Sequence, residues 1–212
     1  MNLLNNAVIN IPKPINEPIH SYAPGSPERA NLKQALTDAA GKQLEIPLII
    51  GGKEIKTGRL GKAVMPHNHQ HVLATYHQAG PEEVRLAIDT AVAAQGMWQA
   101  FRWEERCAIF LKAAELLSGK YRALINAGAM LAGGKNAFQA EIDAACEFID
   151  FLRFNVSYAQ EIYQKQPESS AGVWNYTQHR PLEGFVFAVT PFNFTAIAGN
   201  LPTAPAIMVY TV

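Results

Sequence analysis

Phe185-Val186-Phe187-Ala188-Val189 runs directly into Thr190-Pro191-Phe192-Asn193-Phe194, and the segment from Thr195 to about Met208 then has helical character. A continuous apolar run of strand formers is the pattern of a parallel strand buried on both faces, not of a half-solvated hairpin. Val209-Tyr210-Thr211-Val212 opens a further run of strand formers, so the order predicts a β-α unit whose second strand has just begun. A doubly buried strand needs a neighbour on each side. No later segment supplies one, and the pattern predicts the first part of a larger α/β protein.

Working back from this block, Gln164 to Ser170 is a polar break, and Val173-Trp174-Asn175-Tyr176-Thr177 alternates like a strand with one face exposed. Asn136 to Tyr163 is the longest helical reading. On a wheel of about 100° per residue, Phe138, Ile142, Ala145, Cys146, Ile149, Leu152 and Val156 share one face, with Ala140, Ala144, Phe151 and Tyr158 opposite. Helices are also expected over Ala123 to Leu131, Trp103 to Leu117, from Pro81 onward, and over Glu28 to Ala40. Ile46 to Ile50, closed by Gly51-Gly52-Lys53, reads as a strand entering a tight hairpin, and Val72 to Tyr76 as another strand. Pro12, Pro14, Pro18, Pro24 and Pro27 make the start an extended arm that needs a surface to lie on.

The 212 residues are 49% hydrophobic and 17% charged, a globular composition that can bury a core without disulfide or metal staples. Lys plus Arg, 18, equals Asp plus Glu, 18, so no surplus of positive charge favours nucleic acid or an anionic membrane. No apolar run is long enough to span a membrane, and Met1 to Ser21 carries no secretory or transit pattern. Cys107 and Cys146, the only cysteines, are far apart and suit a reducing compartment, pointing to the cytoplasm.

His67, His69, His71 and His77 alternate in part, but no known zinc spacing and no nearby strong fourth ligand accompany them, so no metal site is assigned. Gly133-Gly134-Lys135 lacks the rest of a phosphate loop and reads as a helix-helix turn. Both cysteines sit in apolar-patterned helices and read as structural thiols. Two readings stand for Glu147: one edge of an acidic stripe with Asp143 and Asp150, or a carboxylate set among aromatics for a purpose. Two also stand for Asn193, just beyond the buried strand, where open α/β sheets bind ligands: its amide either ties the strand-to-helix turn or holds a developing oxyanion.

Leu182-Glu183-Gly184-Phe185, Thr190 to Ile197 and Gly199-Asn200-Leu201 together resemble the aldehyde dehydrogenase superfamily. Gln139 to Asp143, Asp150-Phe151 and Arg153-Phe154-Asn155 resemble in particular its 1-pyrroline-5-carboxylate (glutamate γ-semialdehyde) dehydrogenases. Pro66-His67, Ile109 to Leu117 and Gly134-Lys135-Asn136 extend the likeness to nearly the whole chain.

The resemblance implies NAD-dependent oxidation of L-glutamate γ-semialdehyde to L-glutamate in proline catabolism. There a cysteine thiolate attacks the aldehyde, hydride leaves to the nicotinamide, and a glutamate base activates water. It implies Asn193 as the catalytic oxyanion donor, Thr190, Pro191 and Phe192 lining the nicotinamide side of the cofactor, and Glu147 and Phe194 meeting the substrate's ammonium group and aliphatic part.

It further implies an N-terminal arm and helix over 1–45, part of the NAD-binding domain over 46–170, an oligomerisation-hairpin strand over 171–182 and the first β-α unit of the nucleotide sheet over 183–212. Full-length members are expected to be homo-oligomers. The nucleophilic cysteine, the base and most of the cofactor site follow Asn193 in the family. These residues alone are therefore expected to be inactive, with a non-catalytic protein that associates with dehydrogenase subunits or other partners as the alternative. Val209-Tyr210 stand where the family usually has Gly-Asn.

Overall fold

A computed structural model describes residues 8–212; the first part of the expected arm, residues 1–7, lies outside the described residues. Helix α1 (Pro27–Gly41) starts at Ser26, whose hydroxyl accepts from the Arg29 N–H. Strand β1 (Leu44–Ile46) pairs parallel with β5 (Asn68–His77), which pairs antiparallel with β4 (Leu60–Met65). Between them β2 (Leu48–Ile50) and β3 (Lys53–Ile55) form a separate hairpin. Its turn needs positive φ at both central positions, and Gly51 and Gly52 supply φ 58° and 75°.

The helices follow: α2 (Pro81–Ala100), α3 (Trp103–Ser118), α4 (Arg122–Gly133), α5 (Ala137–Ala140), α6 (Glu147–Gln164) and α7 (Thr195–Ile207). A π-helical turn, Glu141–Cys146, joins α5 to α6 without a break. The main core lies where α3 and α6 meet α7: Cys107, Phe110 and Ala114 pack against Ile149, Leu152, Val156 and Ile207. Each large aliphatic buried here contributes about 1.5–3 kcal/mol. Gly199 lets α7 approach closely, since a Cβ there would stand 2.2 Å from the Phe148 ring. Although Pro202 and Pro205 interrupt α7, its last carbonyls are not orphaned: Trp98 donates to Ala206 O at 2.8 Å and Arg106 to Ile207 O at 3.2 Å.

The arm lies on the outer surface of the longest helix and runs antiparallel to it. Ile11 N–H donates to Gln160, Glu17 N–H to Asp150 at 2.7 Å, and His20 N–H to Glu141 at 2.7 Å. Its end is fixed by a buried ionic cluster. Glu141, fully buried, accepts from Arg122, from Tyr22 Oη at 2.6 Å and from Asn126 at 2.8 Å, while Arg122 also binds Glu17 and Pro18 O.

Three expectations are corrected. Phe185 to Val189 forms no strand and is not buried on both faces: Phe187 is 80% and Val189 71% exposed. Among the described residues its main-chain link is a single bond, Val186 N–H to Thr211 O at 2.8 Å; without a ladder on either side the run has nothing to bury it. Val173 to Thr177 is likewise no strand. It folds back on 166–170 through one isolated backbone bridge, Val173 to Ser170, and side-chain bonds such as Thr177 N–H to Gln166 at 2.7 Å, with Trp174 and Tyr176 exposed. Nor do Val209 to Val212 form a strand, and Val209 takes φ 78°, a left-handed conformation that strains a β-branched residue at the position where Gly was expected.

No helix of the described residues is long and apolar enough to cross a membrane. His71 points at Ala40 O (2.9 Å), while His77 accepts from Gly58 N–H and meets Glu45, so these two rings are engaged in local bonds.

Candidate active site

The site is assembled where the N-terminus of α7 meets the π-helical turn and the α4–α5 loop. α4 ends at Gly134, whose N–H donates to Met130 O, and the chain then presents Lys135 before Asn136 caps α5. Lys135 Nζ lies 2.7 Å from Asp143 Oδ2 in the π-helical turn and 4.5 Å from the centroid of the Phe194 ring at the start of α7. Phe194 is half-buried, and its carbonyl accepts from Ala198 N–H, the first bond of the helix.

Glu147, at the head of α6, is half-buried, and its Oε2 is enclosed without a hydrogen-bond partner among the described residues. Burial raises its pKa above the usual carboxylate value. Asp143 and Asp150 add to that, and Lys135 opposes it.

Asn193 immediately precedes Phe194 and is exposed, and its amide makes no hydrogen bond among the described residues. It does not tie the turn, so of its two readings the turn-fixing one finds no contact. Thr190 is exposed, Pro191 half-buried, and Phe192 fully exposed at 101%. Thr190 also borders a cavity of 690 Å³ between Phe185 to Ala188, strand β2 and helix α2, whose lining is apolar apart from Glu83 and Thr190. The six predicted site residues thus fall into two groups. Phe194 and Glu147 both neighbour Lys135, whereas Thr190, Phe192 and Asn193, with half-buried Pro191 among them, stand at the approach to α7.

Cys107 and Cys146 are buried and free, with pKa values pushed up to about 11 and about 12, in each case chiefly by burial. Neither is a thiolate at neutral pH. Among the described residues no group of three or more His, Cys, Asp or Glu could hold a metal ion. The Glu141 cluster and Lys135 were not picked out from the sequence as functional residues. A helical carboxylate reads as a surface group unless its partner, nineteen residues away in Arg122, is known to face it.

The model of the aldehyde dehydrogenase family matches residues 56–210. The chain belongs to the aldehyde dehydrogenase family. Within it, this aldehyde dehydrogenase chain is 53% identical over 204 residues to the delta-1-pyrroline-5-carboxylate dehydrogenase of Agaricus bisporus, covering 95% of this chain and 37% of that protein. To the human mitochondrial enzyme of that name it is 47% identical over 196 residues, covering 92% and 35%. The solved structure of the Mycobacterium tuberculosis Delta-pyrroline-5-carboxylate dehydrogenase bound with NAD matches with a TM-score of 0.96 at 47% identity, over 98% of this chain and 39% of that one. The chain thus spans well under half the length of these relatives.

Proposed function

We propose that this chain supplies the oxyanion donor and the amino-acid end of the substrate site for NAD-dependent oxidation of L-glutamate γ-semialdehyde, formed from 1-pyrroline-5-carboxylate, to L-glutamate in proline catabolism. The observation that carries this reading is Asn193: an amide with no structural bond, exposed at the mouth of α7 beside Phe194. Its Nδ2 donates to the aldehyde oxygen as negative charge develops there, and as a neutral donor it needs no change of protonation. Glu147 accepts from the substrate's ammonium group, and Phe194 packs against its methylenes.

NAD, when bound, accepts the hydride. The residues here fit its nicotinamide end only: Thr190 and Phe192 are open to contact, with Pro191 between them. The Gly133-Gly134-Lys135 turn does not cradle a diphosphate, because Gly134 caps α4 and Lys135 is paired with Asp143. The segments 1–45, 46–170, 171–182 and 183–212 serve in this reading as arm and helix, outer NAD-domain shell, self-association segment and nucleotide-sheet unit. Two free, buried thiols suit a reducing compartment such as the cytoplasm.

The test is a chimera in which these residues replace the matching segment of the Mycobacterium tuberculosis enzyme, assayed for NADH formation from glutamate semialdehyde. Turnover supports the reading; a folded, inactive chimera overturns it. The 212-residue chain by itself is expected to form no NADH above a buffer blank, since its two cysteines are buried and protonated.

A second reading is favoured by the exposure of Trp174, Tyr176, Phe187 and Val189: a non-catalytic chain that associates with dehydrogenase subunits or with itself through these apolar groups. Size-exclusion chromatography decides it, a well-dispersed monomer counting against association.

A further inference from the structure

We infer that Lys135 is a positioning residue of this site: it holds the Phe194 ring and the ionised form of Glu147 together in the arrangement that receives an α-amino acid. The inference rests on the proposed roles of Glu147 and Phe194 and goes beyond them, because Lys135 touches neither reacting atom.

Three elements converge on its ammonium group. From the π-helical turn, Asp143 Oδ2 binds it at 2.7 Å; from the start of α7, the Phe194 ring lies beneath it at 4.5 Å; and its charge lowers the pKa of Glu147 at the head of α6. The Lys135 side chain is 16% exposed, so this is not a fully solvated surface pair. The charges that act on Glu147 are those of Asp143, Asp150 and Lys135. Asp150 is occupied by the arm, accepting from Asn16 Nδ2 and Glu17 N–H at 2.7 Å each. Lys135 is therefore the positive charge that offsets two neighbouring carboxylates.

Without it, like charge and burial act on Glu147 unopposed and favour its protonated form, which cannot pair with an ammonium group. The same ammonium, bound to Asp143 and seated over the ring, fixes the face that Phe194 presents at the start of α7. One residue thus links the polar and apolar parts of the candidate site.

The test uses the 212-residue chain and carbon-13 NMR of its glutamate carboxyls, with Glu147→Gln for assignment. Lys135→Met is expected to raise the Glu147 titration midpoint by about half a pH unit or more, and Lys135→Arg to restore it. In the unaltered chain the Lys135 ε-methylene protons are expected to be shifted upfield by the ring, an effect that Phe194→Leu abolishes. A midpoint unchanged in a folded Lys135→Met chain overturns the inference. So do ε-methylene protons at their random-coil position, a measurement that needs no variant to fold. Neither readout depends on turnover. An inactive chimera alongside both expected shifts counts against the proposed reaction and not against Lys135.

Discussion

Asn193→Ala in the active chimera is expected to lower kcat by about 10²–10³ with KM little changed, the signature of a donor used only as charge develops in the transition state. The fold should not respond. Asn193 is exposed and makes no hydrogen bond among the described residues, so its removal leaves no buried group unpaired. The melting temperature of the 212-residue chain carrying the substitution is the control. A rate loss accompanied by an equal loss of stability would return Asn193 to the role of a turn-fixing residue, and a retained rate would remove it from the chemistry.

Arg122→Met is expected to have the largest effect on stability, about 3–5 kcal/mol by denaturant titration, because it leaves the fully buried Glu141 carboxylate without its cation. Adding Glu141→Gln should recover part of the loss, since the uncompensated charge is then gone. Equal destabilisation by the single and double variants would show that the pair is not coupled.

The same cluster gives stability a pH dependence. Burial alone raises the Glu141 pKa, but bonds from Arg122, Tyr22 and the His20 N–H outweigh it and bring the carboxyl down to about 2 from an ordinary 4.5. A depressed folded-state pKa stabilises above the unfolded value and loses that contribution as protonation overtakes it. Stability should therefore fall as pH drops from about 4.5 towards 2, and Glu141→Gln should flatten that slope.

The helices were legible because their apolar spacing and their caps are local: Pro81 and Asn136 begin elements where the sequence placed them, and α1 starts at Pro27, one residue before the expected Glu28. The long helix was read in full except at its start. A uniform wheel puts Phe138 with the core, but the π-helical turn inserts an extra residue and rotates everything before it. Phe138 swings out to 61% exposure and Glu141 swings in to 0%.

The strands at 173–177 and 185–189 were misplaced for a different reason. Strand propensity describes a surface that fits a sheet, and the sheet must come from elsewhere. Of the candidate site, Asn193 and its neighbours could be read from their own block. Lys135 could not, because its meaning depends on Asp143, Glu147 and Phe194 coming together from three elements.

The arm is a donor code with gaps. Its prolines delete N–H groups at 12, 14, 18 and 24, and the N–H groups at 11, 17 and 20 meet side-chain acceptors at 160, 150 and 141. No β-ladder of regular period holds it, and a slip that brings residue 12 to the place of residue 11 would set Pro12 and Pro18 against the acceptors of Gln160 and Asp150. Such a segment should tolerate many changes of side chain at its exposed positions while rejecting any change of length between residues 11 and 20. Its fit is a matter of spacing more than of composition.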